Sequence, residues 1–131
     1  MKTIAFLLTL AALTLPAFAQ SQVEMNAEAA AEFKAADAKL NTVYKELKNS
    51  QDEETAARLK TAQKAWLAYR DAQVELESAS SKGGSIYPLV VMNVKTRLTG
   101  ARTTELQEML NGATEEGDVA ASPDEEKPQD E

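Results

Sequence analysis

The chain has 131 residues, 44% of them hydrophobic but only 5% aromatic, with 21 acidic and 14 basic side chains and a net charge of −7. That length holds one domain at most. Histidine and cysteine are both absent, which removes the commonest general base, the thiol nucleophile, disulfide staples and the usual transition-metal ligands together, so neither an enzyme nor a cofactor is expected.

Residues 1–19 carry the three zones of a secretory signal peptide: Lys2 as the one charge, an apolar run over 4–15, then Pro16-Ala17-Phe18-Ala19. The small side chains of Ala17 and Ala19 suit signal peptidase, so cleavage is expected after Ala19. The apolar run is about half of the roughly 20 residues that span a bilayer, so no membrane span is expected. A lipoprotein would need a cysteine to carry the lipid. The reading is therefore a soluble, exported protein, periplasmic or secreted, of which residues 20–112 form a helical domain.

Ser21 followed by Glu24 fits a capping box and predicts a helix over about 22–49, with Phe33, Ala36, Leu40, Val43, Tyr44 and Leu47 recurring at three and four along one face. Asn49-Ser50-Gln51-Asp52-Glu53 breaks that pattern. Ser50 with Glu53 makes a second capping box, and Asp52, Glu53 and Glu54 suit the positive end of a helix dipole better than a metal site. A second helix is expected over 51–80, with Leu59, Ala62, Trp66, Tyr69, Gln73 and Leu76 as its stripe.

Ser80-Ser81-Lys82-Gly83-Gly84-Ser85 is the clearest loop, since adjacent glycines cost entropy inside a helix. Ser85 is a candidate cap for a third helix over 86–111, in whose first turn Pro88 is tolerable. Val91, Val94, Leu98, Ala101, Leu106 and Met109 form the stripe, Gly100 is a candidate close approach, and Asn111-Gly112 a stop. Short connections and three apolar faces predict an all-α fold, a small antiparallel three-helix assembly.

After Ala113 come Glu115, Glu116, Asp118, Asp124, Glu125, Glu126, Asp130 and Glu131 against a single Lys127, with Pro123, Pro128 and almost no large aliphatic side chain. Such a segment buries too little to offset its ordering entropy, so residues 113–131 are expected to form a disordered acidic tail. The body carries no basic stripe and the tail would repel phosphates, so nucleic acid is not an expected partner. A lysine-activated serine at Lys82 and Ser85 is conceivable by spacing, but an exposed loop leaves the lysine hydrated and protonated.

Several motifs belong together: Gln22-x-Glu24-Met25-Asn26, Ala36-Asp37-x-x-Leu40-Asn41-x-x-Tyr44, Ala62-Gln63-x-Ala65-Trp66-x-x-Tyr69-Arg70-Asp71-Ala72, Gly83-Gly84-Ser85 and Leu98-Thr99-x-x-Arg102-x-x-Glu105-Leu106. Across residues 22–110 the chain resembles the LprI-like lysozyme-inhibitor domain of exported bacterial proteins. The resemblance implies a helical exported domain whose named member binds and inhibits lysozyme. It also implies cysteines where this chain has Glu28, Val74 and Val94, and the paired valines suggest an apolar contact between the second and third helices in place of a disulfide.

The motif residues also have a structural reading. Trp66 and Tyr69 lie on the predicted core stripe. Arg70 and Asp71 are adjacent and are not expected to face each other, so Asp37 is the candidate partner of Arg70, and Asp71 that of Arg102. Should lysozyme be the partner, Ser81, Lys82, Gly83, Gly84 and Ser85 are the candidate contact: a cation and hydroxyls on a protruding loop suit a cleft lined by two carboxyl groups. The alternative is a non-inhibitory binding or scaffold module of the cell envelope. The sequence leaves the oligomeric state open.

Overall fold

The computed structural model describes the backbone of residues 16–119 and the side chains of residues 21–113. It consists of three α-helices, α1 (Pro16–Ser50), α2 (Glu53–Ser78) and α3 (Tyr87–Val119), with a 3-10 turn, Ala79–Ser81, after α2. No strand occurs among the described residues, and none of the helices there is long and apolar enough to cross a membrane. The all-α, three-helix reading of the sequence stands.

Several boundaries differ. The first helix begins at Pro16 and not at residue 22, so Ser21 and Glu24 lie inside it and do not cap it; proline is well suited to a first helical position, where its missing N–H had no partner. The cap of α2 is Asp52, not Ser50. The Asp52 carboxylate accepts from the Thr55 backbone N–H at 2.8 Å and from its hydroxyl at 3.1 Å, while the Ser50 hydroxyl donates backwards to the Leu47 carbonyl at 2.8 Å. An ionised acceptor that reaches both donors wins this competition.

Ser85 does not start α3 either. The first helical bond there runs from the Val90 N–H to the Ile86 carbonyl at 3.1 Å, which leaves Ser85 in the preceding turn. Pro88 does fall in the first turn of α3. At the other end Asn111-Gly112 is no stop, because α3 continues to Val119. Glycine permits a helix to end but does not impose it. The segment expected to be disordered from residue 113 is thus helical through Val119, and residues 120–131 lie outside the described region, as do residues 1–15 of the expected signal peptide.

Two buried clusters hold the helices together. Leu40, Val43 and Leu47 of α1 meet Leu59 of α2 and Leu106 of α3, with Tyr44, Trp66 and Leu110 packed against them. Val74 of α2 meets Val94 and Leu98 of α3, flanked by Val90 and Val91. Burying each large aliphatic side chain contributes about 1.5–3 kcal/mol, so the leucine cluster is the stronger anchor. Packing is most extensive between α1 and α3, less so between α2 and α3, and slightest between α1 and α2. Contacts between Asp37 and Arg70 and between Glu77 and Arg97 are in keeping with antiparallel neighbours.

The stripes of α1 and of most of α3 face inward as expected, but the stripe of α2 does so only in part: Leu59 is buried and Trp66 packs against the leucine cluster, while most of the rest turns outward. Tyr69 and Leu76 are 54% and 70% exposed, and Ala62 is exposed with them. The inner face of α2 is instead Leu59, Gln63, Trp66, Arg70, Val74 and Ser78, displaced by about one residue. On α3, Met109 is 55% exposed and Ala101 also points outward. Gly100 marks no close approach, since a Cβ placed there would meet nothing within 4 Å.

Candidate functional site

Three motif residues, Trp66, Arg70 and Arg102, gather in a layer with Phe33 and Lys95. Arg70, with only 11% of its side chain exposed, is at its centre. Its guanidinium carbon stands 5.4 Å from the Trp66 ring and 5.7 Å from the Phe33 ring. Lys95 of α3 covers Phe33 at 5.4 Å, and Arg102 of α3 approaches Trp66 at 6.0 Å. These five side chains, drawn from all three helices, alternate cation and ring, each pair within the reach of a cation–π attraction.

Asp37 approaches Arg70 as the spacing suggested, with Nη1 and Oδ1 3.6 Å apart. That is an electrostatic contact and not a hydrogen bond, and Arg70 Nη1 is buried without an acceptor. Two other expectations are corrected. Adjacent Arg70 and Asp71 do meet, Nε donating to Oδ1 at 3.2 Å, because the long arginine stem folds back along its own helix. Arg102 does not pair with Asp71: its Nε donates to Gln63 Oε1 at 3.2 Å and its Nη1 to Glu105 Oε2 at 2.9 Å. The polar face of α2 thereby ties down α3 through Gln63.

The remaining motif residues are dispersed. Leu40 and Tyr44 belong to the leucine cluster, Leu98 joins Val74 and Val94 in the second, and Thr99 is fully buried. Asn41 donates to Asp37 Oδ2 at 3.2 Å one turn away. Glu28 is exposed on α1. Asp37, Leu40, Asn41 and Tyr44 also line a groove of about 270 Å³ opposite Lys60, Gln63, Lys64 and Leu67.

The loop of residues 80–85 is built separately, at the junction of α2 and α3. The Ser81 hydroxyl donates to the Ser78 carbonyl at 2.8 Å, so it is committed to the turn. The Gly84 N–H donates to the Ser81 carbonyl at 3.0 Å and the Tyr87 N–H to the Gly84 carbonyl at 3.2 Å. Gly83 has φ +86°, a left-handed value that other L-residues rarely adopt, and a Cβ on Gly84 would sit 3.2 Å from the Ser81 carbonyl oxygen. Lys82, Gly83, Gly84, Ser85 and Ile86 are all exposed. The loop therefore presents a cation, Lys82, and the exposed hydroxyl residues Ser80 and Ser85 on a hydrogen-bonded frame.

Behind the loop, Arg97 Nη2 of α3 clasps both carboxylate oxygens of Glu77, at 2.6 and 2.7 Å. The Glu77 carboxyl lies below the usual carboxylate range, first because Gln73 donates to it and then because of Arg97. Asp52 is likewise lowered, chiefly by the Thr55 N–H and then by the Thr55 hydroxyl. Both groups favour the charged form through hydrogen bonds and not through burial.

Sequence reasoning missed Phe33 as a ring in the stack, Gln63 as the tie to Arg102, and the Glu77–Arg97 clasp. The spacing of Gln63, Trp66 and Arg70, three and four apart, already placed them on one face, but two polar residues there do not announce a buried surface.

A relative from Rhizobium meliloti (strain 1021), described only as an uncharacterized protein, is 38% identical over 108 residues, covering 72% of this chain and 78% of its own length. No solved structure matches. The family described as Lysozyme inhibitor LprI matches residues 16–106, a span that contains the cation–ring layer, both clusters and the loop, and the chain belongs to that family.

Proposed function

We propose that this protein is exported, loses residues 1–19, and binds and inhibits a lysozyme through the loop of residues 80–85 without catalysing a reaction. Membership of a family described by lysozyme inhibition carries the reading. The exposed turn at Lys82 and Ser85 supplies the chemistry. A muramidase cleft holds two carboxyl groups that must stay accessible to the glycan; an ammonium group and a hydroxyl inserted between them would occupy the cleft and exclude substrate. Ser81 has a supporting part, since its hydroxyl already holds the turn. The bonds from the Gly84 and Tyr87 N–H groups and the Ser81 hydroxyl hold the loop in its turn, with Gly83 permitting the left-handed φ, and a held loop loses less ordering entropy on binding.

The acidic residues after Ala113 would attract a cationic lysozyme, accelerate encounter and lose that effect as salt rises. The test is cell-wall lysis by c-, g- and i-type lysozymes with and without the purified protein at two salt concentrations. Inhibition of one type that weakens with salt is the expected result. Unchanged lysis by all three types would overturn the reading and favour a non-inhibitory envelope-binding module.

A further inference from the structure

Helices α1 and α2 pack against each other least of the three pairs, and the groove of about 270 Å³ lies between them. Its apolar lining is the buried Leu40 and half-buried Tyr44 of α1 and, across from them, Leu67 of α2. Its charges are unevenly matched. Asp37 is already met by the Arg70 guanidinium and by the Asn41 amide, which donates to its Oδ2 at 3.2 Å. Lys60 and Lys64 are exposed and form no ion pair among the described residues. Besides each other, the positions three and four away from them on α2 are Ala56, Ala57, Thr61, Gln63, Leu67 and Ala68, none of which is an acid that could hold them. Between the two lysines, Gln63 is only 9% exposed. Its oxygen is taken by Arg102 Nε, an atom that can only donate, so the end it has left for the groove is its NH2 group.

We propose that this groove binds a small monocarboxylate with a short apolar body. The carboxylate is taken by Lys60, Lys64 and the Gln63 amide, and the body lies along Leu40, Tyr44 and Leu67. Charge sets the direction. Lys64 and Lys60 precede Arg70 by six and ten residues, about 9 and 15 Å along the helix axis, so a carboxylate at the lysine end stays clear of Asp37, which is held beside Arg70. Size sets the class of ligand. At roughly 30 Å³ for each water-sized group, the space accepts about nine of them, which suits a medium-chain acid and is too little for a membrane lipid. This binding does not rest on lysozyme inhibition, because the loop of residues 80–85 is beyond the far end of α2.

Titration of the purified full chain with octanoate, followed by calorimetry and by the side-chain amide NMR signals, tests the assignment. One octanoate should bind per chain with a dissociation constant below about 1 millimolar and should move the Gln63 amide signals. It should bind at least about tenfold tighter than 1-octanol, which has the same chain without the charge. Lys60→Ala/Lys64→Ala should weaken octanoate binding at least about tenfold with the helical circular dichroism kept, since both lysines are exposed. Leu67→Asp should also weaken it, by placing a like charge on the apolar wall; Leu67 is 37% exposed and belongs to neither cluster. Octanoate bound no tighter than octanol, binding indifferent to the loss of both lysines or to Leu67→Asp, or amide shifts that leave out Gln63 would each overturn the proposal. So would a titration that shows no saturation by about 10 millimolar.

Discussion

Helices α1 and α2 solve the same packing problem in opposite ways. The inner face of α1 is apolar, with Leu40, Val43 and Leu47 each at most 4% exposed. The inner face of α2 carries Gln63, Arg70 and Ser78 among its few apolar residues, while Tyr69 and Leu76 stand outside. Apolar burial by α1 supplies non-directional attraction. The polar face of α2 supplies direction, because Arg70 stacks on rings from two helices and Gln63 accepts from Arg102. A helix arranged in this way fixes its rotation by geometry more than by greasiness.

The comparison predicts where damage is greatest. Leu106 is wholly buried in the cluster organised by α1, and Leu106→Ala should lower stability by about 4 kcal/mol through lost burial and a cavity, as read by urea unfolding. A loss below about 1 kcal/mol would show that the cluster collapses around the gap and is not a rigid anchor. At the other end of the molecule, Val74 and Val94 share the smaller cluster. The pair Val74→Cys/Val94→Cys should oxidise to a disulfide that raises stability by about 3 kcal/mol over the reduced form. Two thiols that stay free under oxidation would refute the contact as a disulfide substitute.

Arg70 tests the polar face itself. Arg70→Ala should cost about 2 kcal/mol, from the lost Asp71 bond and ring contacts. Arg70→Lys should recover only part of it, since an ammonium group lacks the planar fork. Equal stability of all three proteins would mean that the cation–ring layer contributes nothing directional.

The smallest effect is at the start of α2, where Asp52→Ala should lower stability slightly at neutral pH through loss of the helix cap. Because the folded state holds the Asp52 carboxyl below its ordinary value, its contribution is present above that value and disappears as pH falls through the folded pKa. Wild type and Asp52→Ala should therefore converge in acid. Glu77, lowered first by Gln73 and then by Arg97, titrates in the same direction. A gap that persists in acid would exclude the carboxylate cap.

The three helices were legible because α1 and α3 obey simple periodicity and because the glycines at 83 and 84 interrupt it. The phase of α2 was not legible, since Tyr69 and Leu76 are as apolar as true core residues and Arg70 is as polar as a surface one. Only the tertiary arrangement, in which rings from α1 and α2 flank the guanidinium, makes burying Arg70 favourable. Helix ends failed for a related reason. Ser21, Ser50 and Ser85 each fit a capping pattern, yet a better acceptor at Asp52 and the continuation of α1 back to Pro16 displaced the first two, and the turn preceding α3 holds Ser85 outside it. The candidate loop was legible in composition, but not the commitment of the Ser81 hydroxyl to Ser78, which depends on the 3-10 turn.

The most direct measurement is the inhibition constant of the Lys82→Ala/Ser85→Ala variant against the lysozyme type that the wild-type protein inhibits, with thermal unfolding measured alongside. Both side chains are exposed, so the unfolding temperature should stay the same. The inhibition constant should rise at least about tenfold, the loss of roughly 1.4 kcal/mol of binding. An unchanged inhibition constant in a normally folded variant would contradict the assignment of the loop as the inhibitory element.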